Sequence, residues 1–497
     1  MQNVIPNLLK QRAYLTPERT AIYFQEQSLT FKELYDRALK TAGQLNKLGL
    51  ERGQFAAVLL GNHLDSVVIL FSMQLIGVKT IILNNRLTAA ELLWQLHDSK
   101  AVALIMEDSF ADLTPIFAEQ LPVLSLITKT KLFLQEPLDV NPIEEIFLDE
   151  ICTIMYTSGT TGNPKGVIQT YGNHWWSAIG SALNLGVTER DCWLCAVPLF
   201  HISGFSILMK SVIYGMPIVL HEKFDVEQTM RDMEEKQVTI MSVVGTMLTR
   251  VVDCIQDREF PSSVRCMLLG GGPAPLPLLK ACMDKQIPVF QTYGMTETSS
   301  QIVTLSPEYS FTKLGSAGKA LFPAQIRIER HDGTIANPRE EGEIVVKGPN
   351  VTPGYLYRPD VVNEKFRDGW LHTGDAGYMD EDGFLYVLDR RSDLIISGGE
   401  NIYPAEIESV LLAHPEVQEA GVVGADDEKW GQVPVAFIVL KNSKVISQEE
   451  LKQFCASQLA KYKIPKACYF MNSLPRNASN KLLRRTLKEQ LNKGRLC

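Results

Sequence analysis

Several things are scarce in this chain of 497 residues, and each scarcity removes a class of function. No apolar stretch approaches the length of a membrane span, and the opening Met1-Gln2-Asn3-Val4-Ile5-Pro6 lacks the basic and then apolar pattern of a signal peptide. A cytoplasmic protein with no membrane span is expected. Basic charge is in deficit, 49 Lys and Arg against 57 Asp and Glu for a formal net charge of -8. That argues against a nucleic-acid-binding surface and leaves any anionic nucleotide to be held by local groups. Nine cysteines are scattered without metal-ligand spacing, and the close pair in Cys192-Trp193-Leu194-Cys195 sits in an apolar, strand-like run. Buried thiols in a reducing compartment are expected rather than a redox or zinc site. No internal repeat or low-complexity tract stands out. Nothing in the chain fixes its oligomeric state, and a homo-oligomer stays open.

What is present is concentrated at Thr157-Ser158-Gly159-Thr160-Thr161-Gly162-Asn163-Pro164-Lys165-Gly166, which follows the strand-like Cys152-Thr153-Ile154-Met155-Tyr156. Glycines let backbone N–H groups approach phosphate oxygens, hydroxyls add hydrogen bonds, and Lys165 adds a mobile positive charge. A bland polar loop is the alternative. A Walker A loop is excluded, because Lys165 is flanked by Pro164 and Gly166 instead of being followed by Ser or Thr.

Helical and strand patterns alternate along the chain, which predicts an α/β architecture. Thr30 and Glu33 form a capping box for a helix with Leu34, Ala38 and Leu45 on one face, closed by Gly49. Runs at 56–60 and 80–83 read as strands. The charged knot Asp389-Arg390-Arg391-Ser392-Asp393 is the sharpest boundary. Beyond it, Pro404 can start a helix carrying Ile407, Val410 and Leu411. Ser447 and Glu450 can cap another, with Leu451, Phe454, Cys455 and Leu459 on one face, and 435–440 reads as a strand. The chain therefore divides into a large N-terminal domain of sheets packed with helices over 1–389, a hinge at 390–392, and a small mobile α+β domain over 393–497.

The phosphate loop, Pro198-Leu199-Phe200-His201, Tyr293-Gly294-Met295-Thr296-Glu297, Thr373-Gly374-Asp375, Asp389-Arg390 and Lys481 occur in an order that resembles the acyl-adenylate-forming superfamily of acyl-CoA synthetases, luciferases and carrier-loading adenylation domains. The resemblance covers nearly the whole chain. Within the superfamily, the runs at 268–279, 300–308 and 475–481 look like the subfamily of o-succinylbenzoate:CoA ligases of menaquinone biosynthesis.

The resemblance implies ATP, Mg2+ and coenzyme A as ligands and a two-step ligation of a carboxylic acid. A carboxylate attacks the α-phosphorus of ATP and expels pyrophosphate; the coenzyme A thiol then takes the acyl group from the adenylate. Negative charge crowds the phosphorus in the first step, so positioning and positive electrostatics outweigh a protein nucleophile. By family position Lys481 supplies that charge, although a lysine in a basic tail is otherwise a solvated one. Thr157, Ser158, Gly159, Thr160, Thr161, Gly162 and Lys165 hold the departing phosphates. Glu297, beside Thr296, resembles the magnesium ligand; a glutamate favoured by a helix N-terminus is the alternative.

Tyr293 offers a face for adenine and Gln291 an amide for its edge, with Gly272, Pro273 and Ala274 opposite; a buried tyrosine and a glycine turn are the plainer readings. Asp375 can accept from both ribose hydroxyls, or simply sit in a turn. Arg390 helps hold ribose or phosphate, or forms an interdomain ion pair. Rotation about the hinge would let the two half-reactions share one site. One departure stands there: Ser392 occupies a position often Asp or Lys in relatives.

Acid choice falls to His201, Lys210 and Ser300, with Ser242, Thr246 and Thr304 as looser candidates. His201 gates or shapes the passage to ATP, or is a packed core histidine; a carboxylate already ionised at neutral pH needs no general base. Lys210 lies in an apolar run and either snorkels to water or meets a second substrate carboxylate, since an unpaired buried charge is expensive. Alternatives remain: a ligase for a fatty or aryl acid, or an enzyme that loads a carrier protein. Lys463 near Pro465 is a candidate phosphate contact for coenzyme A.

Overall fold

A computed structural model describes every residue except 1–2, 158–163, 257, 272–275, 311, 314, 331, 390–392, 394, 403, 442–445, 476–481, 483 and 493–497. Local signals and local structure agree closely where side chains satisfy backbone groups. Thr30 accepts from the Glu33 N–H, and the Glu33 carboxylate takes the Thr30 N–H, opening helix Phe31–Lys47. Thr170 and Asn173 make a second such box at the start of helix Tyr171–Leu185. The strands expected at 56–60 and 80–83 are Phe55–Leu59 and Lys79–Ile82, neighbours in a six-stranded sheet. Their pairing is parallel, as befits strands that are apolar on both faces.

The chain folds into two units. The first comprises Met1–Asn85, Ser99–Met155 and Gly166–Leu388; the second comprises Arg86–Asp98, Tyr156–Lys165 and Asp389–Cys497. In the first unit the six-stranded sheet is joined by a nine-stranded one. There the parallel strands Trp193–Cys195, Ile240–Val244, Cys266–Gly270 and Val289–Met295 lie side by side, and Ser300–Leu305 turns back antiparallel to Val289–Met295. A five-stranded antiparallel sheet carries Gly342–Lys347 next to Trp370–Met379.

The second unit has its own five-stranded sheet built on Val417–Asp427 and Gly431–Leu440. Helix Pro404–Ala413 begins at the expected proline, and Ser447 caps Gln448–Ala456. That helix stops short of Leu459, which is buried just beyond it. Lys463 is buried and bonded to Glu91 at 2.9 Å and Glu406 at 2.7 Å, so its ammonium faces carboxylates and not solvent. Eight described cysteines are free; all but the half-buried Cys254 are buried, including Cys192 and Cys195 of the close pair. Among the described residues no helix is long and apolar enough to cross a membrane.

One ion pair ties the nine-stranded sheet to its flanking helix. Arg265 grips both oxygens of the buried Asp191 at 2.8 and 2.7 Å and also donates to the carbonyls of Leu185 and Gly186 at the end of helix Tyr171–Leu185. Arg265→Ala removes that carboxylate's guanidinium partner, leaving it the Thr188 N–H and the Thr239 hydroxyl, and should lower folding stability by about 2–4 kcal/mol, read as a lower urea midpoint with an unchanged slope.

Candidate active site

Several of the candidate residues gather on one hairpin. Strand Val289–Met295 carries Gln291 and Tyr293, the 3-10 turn Thr296–Thr298 carries Glu297, and strand Ser300–Leu305 carries Ser300 and Thr304. A register shift at Tyr293/Gly294 and positive φ values at Ser299 (53°) and Ser300 (102°) make the connection sharp. Gly294 is required there, since a Cβ would fall 2.1 Å from the Ser300 carbonyl oxygen. Strain of this kind in non-glycine residues persists only where surroundings hold it.

Asp375 comes to the hairpin from strand Trp370–Met379. Thr373-Gly374-Asp375 is therefore not an ordinary turn: Gly374 at φ +79° kinks the strand without ending it. The Tyr293 hydroxyl donates to Asp375 Oδ2 at 2.7 Å, and both residues are buried. Glu297 Oε1 accepts from the Tyr355 hydroxyl at 3.0 Å. Burial raises the Glu297 pKa, its backbone and Tyr355 bonds oppose the rise, and the nearby Asp375 charge adds to it. A carboxylate whose ionisation is disfavoured by burial and by a neighbouring acid suits a divalent cation, whose charge offsets that cost and which accepts oxygen ligands. Gln291 is buried, and its amide nitrogen has no hydrogen-bond partner among the described residues. An orphaned donor is costly unless a ligand completes it, and an adenine ring nitrogen would do so.

Helix Ile202–Tyr214 supplies the acid side. His201 sits at its N-cap, half-buried, with its ring 4.6 Å from that of Phe200. Lys210 does not snorkel: it is 1 % exposed, and its ammonium lies 5.2 Å from the Trp193 ring centroid. No hydrogen bond or ion pair of Lys210 occurs among the described residues, and burial lowers its pKa to about 7. Burial and the Lys210 charge together hold His174 down to about 3, so that imidazole is neutral. Trp193 Nε1 donates to Ser242 at 3.1 Å, and Thr304 bonds Thr292 at 3.3 Å. Thr246, at the start of helix Gly245–Ile255, is half-buried.

Ser158, Gly159, Thr160, Thr161, Gly162, Gly272, Pro273, Ala274, Arg390, Ser392 and Lys481 lie outside the described residues. The flanks of 158–163 are described: Thr157 ends strand Ile151–Thr157, and the buried Lys165 begins strand Lys165–Thr170. Sequence reasoning missed Tyr355, Trp193 and His174. Trp193 had a signal, since it lies in a strand-like run; the other two are brought in by tertiary structure.

An α/β scaffold of a large unit and a smaller one built mainly from the C-terminal part of the chain is the architecture of an adenylate-forming enzyme. The chain belongs to the AMP-binding enzyme family: the family model matches residues 9–356, and the AMP-binding enzyme C-terminal domain matches 406–481. It is 57% identical to the 2-succinylbenzoate--CoA ligase of Geobacillus sp. (strain WCH70) over 489 residues, 98% of each chain. A solved structure of Bacillus subtilis o-succinylbenzoate CoA synthetase, a double mutant bound to a product analogue, matches with 52% identity and a TM-score of 0.93 over 98% of each chain. Another structure of that synthetase, in complex with ATP and magnesium ion, matches with 52% identity and a TM-score of 0.77 over 98% of this chain and 100% of that one.

Gly294→Ala should displace the Ser300 carbonyl and with it the hairpin. Misplacement by about 1 Å costs roughly a hundredfold in rate, so pyrophosphate release should fall by about that factor while the far-UV circular dichroism spectrum is retained.

Proposed function

We infer that this chain is an ATP-dependent 2-succinylbenzoate:CoA ligase, forming the acyl-adenylate with release of pyrophosphate and then the thioester with release of AMP. The observation that carries the reading is the 57% identity to such a ligase across 98% of both chains. Lys210 supports it from within, because a buried ammonium lacking a carboxylate partner among the described residues suits an acid that brings a second carboxylate. Adenylation consumes one carboxylate; the other stays ionised and needs a counter-charge.

The remaining roles follow from chemistry and family position. Glu297 holds magnesium, which neutralises charge on the phosphates. Thr157, Ser158, Gly159, Thr160, Thr161, Gly162 and Lys165 position the leaving pyrophosphate. Gln291 and Tyr293, with Gly272, Pro273 and Ala274, hold adenine, and Asp375 accepts from the ribose hydroxyls. Lys481 brings positive charge to the adenylation step, Arg390 steadies the nucleotide, and His201 shapes the passage between acid and ATP. Domain limits of 1–389 and 393–497 about a hinge at 390–392 belong to the same proposal, as does a reducing cytoplasmic setting, which fits the free thiols.

A screen of acids with ATP, magnesium and coenzyme A tests the reading. 2-Succinylbenzoate should yield both AMP and thioester; if it yields neither while a fatty or aryl monocarboxylic acid does, the assignment falls. Lys210→Met keeps volume and removes charge. It should raise KM for 2-succinylbenzoate by roughly thirtyfold or more and leave turnover of monocarboxylic acids nearly unchanged. The pH dependence has a definite sign. With a pKa lowered to about 7, Lys210 is cationic below that pH and loses its charge above it. The KM for 2-succinylbenzoate in pyrophosphate release should therefore climb as pH rises through 7 to 8, and Lys210→Met should abolish the climb.

A further inference from the structure

The turn that carries Glu297 presents a run of backbone carbonyls to the protein interior, and each finds a separate donor. Thr296 O accepts from Gln169 Nε2 at 3.1 Å, Glu297 O from the Thr352 N–H at 2.7 Å, Thr298 O from Asn350 Nδ2 at 3.1 Å, and Ser299 O from Ser177 Oγ at 2.7 Å. Gln169, Ser177, Asn350 and Thr352 are all buried. The donors are themselves anchored. Asn173 donates to the carbonyls of Pro349 and Val351, both at 2.9 Å, which fixes the loop bearing Asn350 and Thr352.

The polarity of the Gln169 end can be deduced. A carbonyl only accepts, so the atom facing Thr296 O is the Gln169 amide nitrogen, and Gln169 Oε1 is left to face Thr153. The Thr153 hydroxyl spends its proton there, at 2.7 Å, so its 3.2 Å contact with His174 Nε2 must be an acceptance. His174 is thus the Nε2–H tautomer, with a bare Nδ1 that has no partner among the described residues.

We propose that Gln169, Ser177 and Asn350 are positioning residues for the metal-holding carboxylate: together they clamp the strained Thr296–Ser299 backbone, and Thr153 with His174 fixes the direction of the Gln169 clamp. This rests on the reading of Glu297 as the magnesium ligand. Partners behind a ligand commonly tune metal affinity by ten- to a hundredfold, so loss of one carbonyl clamp out of the set should cost toward the low end.

The test uses the full chain with ATP and Mn2+ as the probe, bound Mn2+ being read by its electron paramagnetic resonance signal. Ser177→Ala and Gln169→Met should each weaken Mn2+ binding by about tenfold. The isosteric Thr153→Val should weaken it less, with recovery in Thr153→Ser. Nitrogen-15 spectra should show His174 neutral as the Nε2–H tautomer from pH 8 to pH 5. Wild-type Mn2+ affinity in Ser177→Ala and Gln169→Met, whatever their thermal stability, overturns the proposal, and so does a His174 proton found on Nδ1. Glu297→Gln separates the two layers. If it too binds Mn2+ like the wild type, the metal-ligand reading fails as well; if it weakens binding and the clamp variants do not, only the clamp fails.

Discussion

A buried carbonyl oxygen without a donor costs on the order of 1–3 kcal/mol, and the turn at Thr296–Ser299 turns four of them inward in succession. Meeting that requirement dictates much of what surrounds the site. Strand Lys165–Thr170, helix Tyr171–Leu185 and the 349–355 loop must all be brought to the turn, and they bond to one another there. Tyr355, arriving with that loop, is placed to reach the Glu297 carboxylate. The positive φ of Ser299 and Ser300 is tolerated because the same bonds leave the backbone little else to do.

Around this hairpin the electrostatics divide into two regions of opposite sign. Glu297 and Asp375 concentrate negative charge, which a divalent cation bound to a nucleotide would offset. Lys210, carried by helix Ile202–Tyr214 and backed by Trp193, is a buried positive charge with no ion-pair partner among the described residues. A net charge of -8 on the chain therefore says little about the site, because the charges that matter are individually placed and screened little by solvent at Asp375 and Lys210, which are buried.

The parts legible in the sequence are those set by neighbours along the chain. Thr30 with Glu33, Pro404 and Ser447 announced their helices because capping is a local transaction between a side chain and the next turn's N–H groups. The order of Tyr293, Glu297 and Asp375 announced the chemistry. Thr373-Gly374-Asp375 misled as a possible turn, since a positive φ at Gly374 marks a kink as readily as an ending. The depth of Lys210 was ambiguous for a different reason: an apolar helix can carry a lysine outward or inward, and only packing decides. Gln169 and Ser177 were out of reach, being 127 and 122 residues from the carbonyls they meet. No local pattern encodes a partner so far away.

The buried thiols have a chemical meaning of their own. An acyl-adenylate is an electrophile made to be opened by sulfur, and the protein that generates it has eight described cysteines. Burial pushes Cys192, Cys195 and Cys455 up to about 12 and Cys282 and Cys468 up to about 11, and it raises Cys152, Cys266 and Cys254 as well. The thiolate is the nucleophile, so these side chains stay protonated and chemically silent at neutral pH. The fold thereby keeps these eight thiols from being acylated by the enzyme's own intermediate and leaves the activated acid to a sulfur that comes from outside.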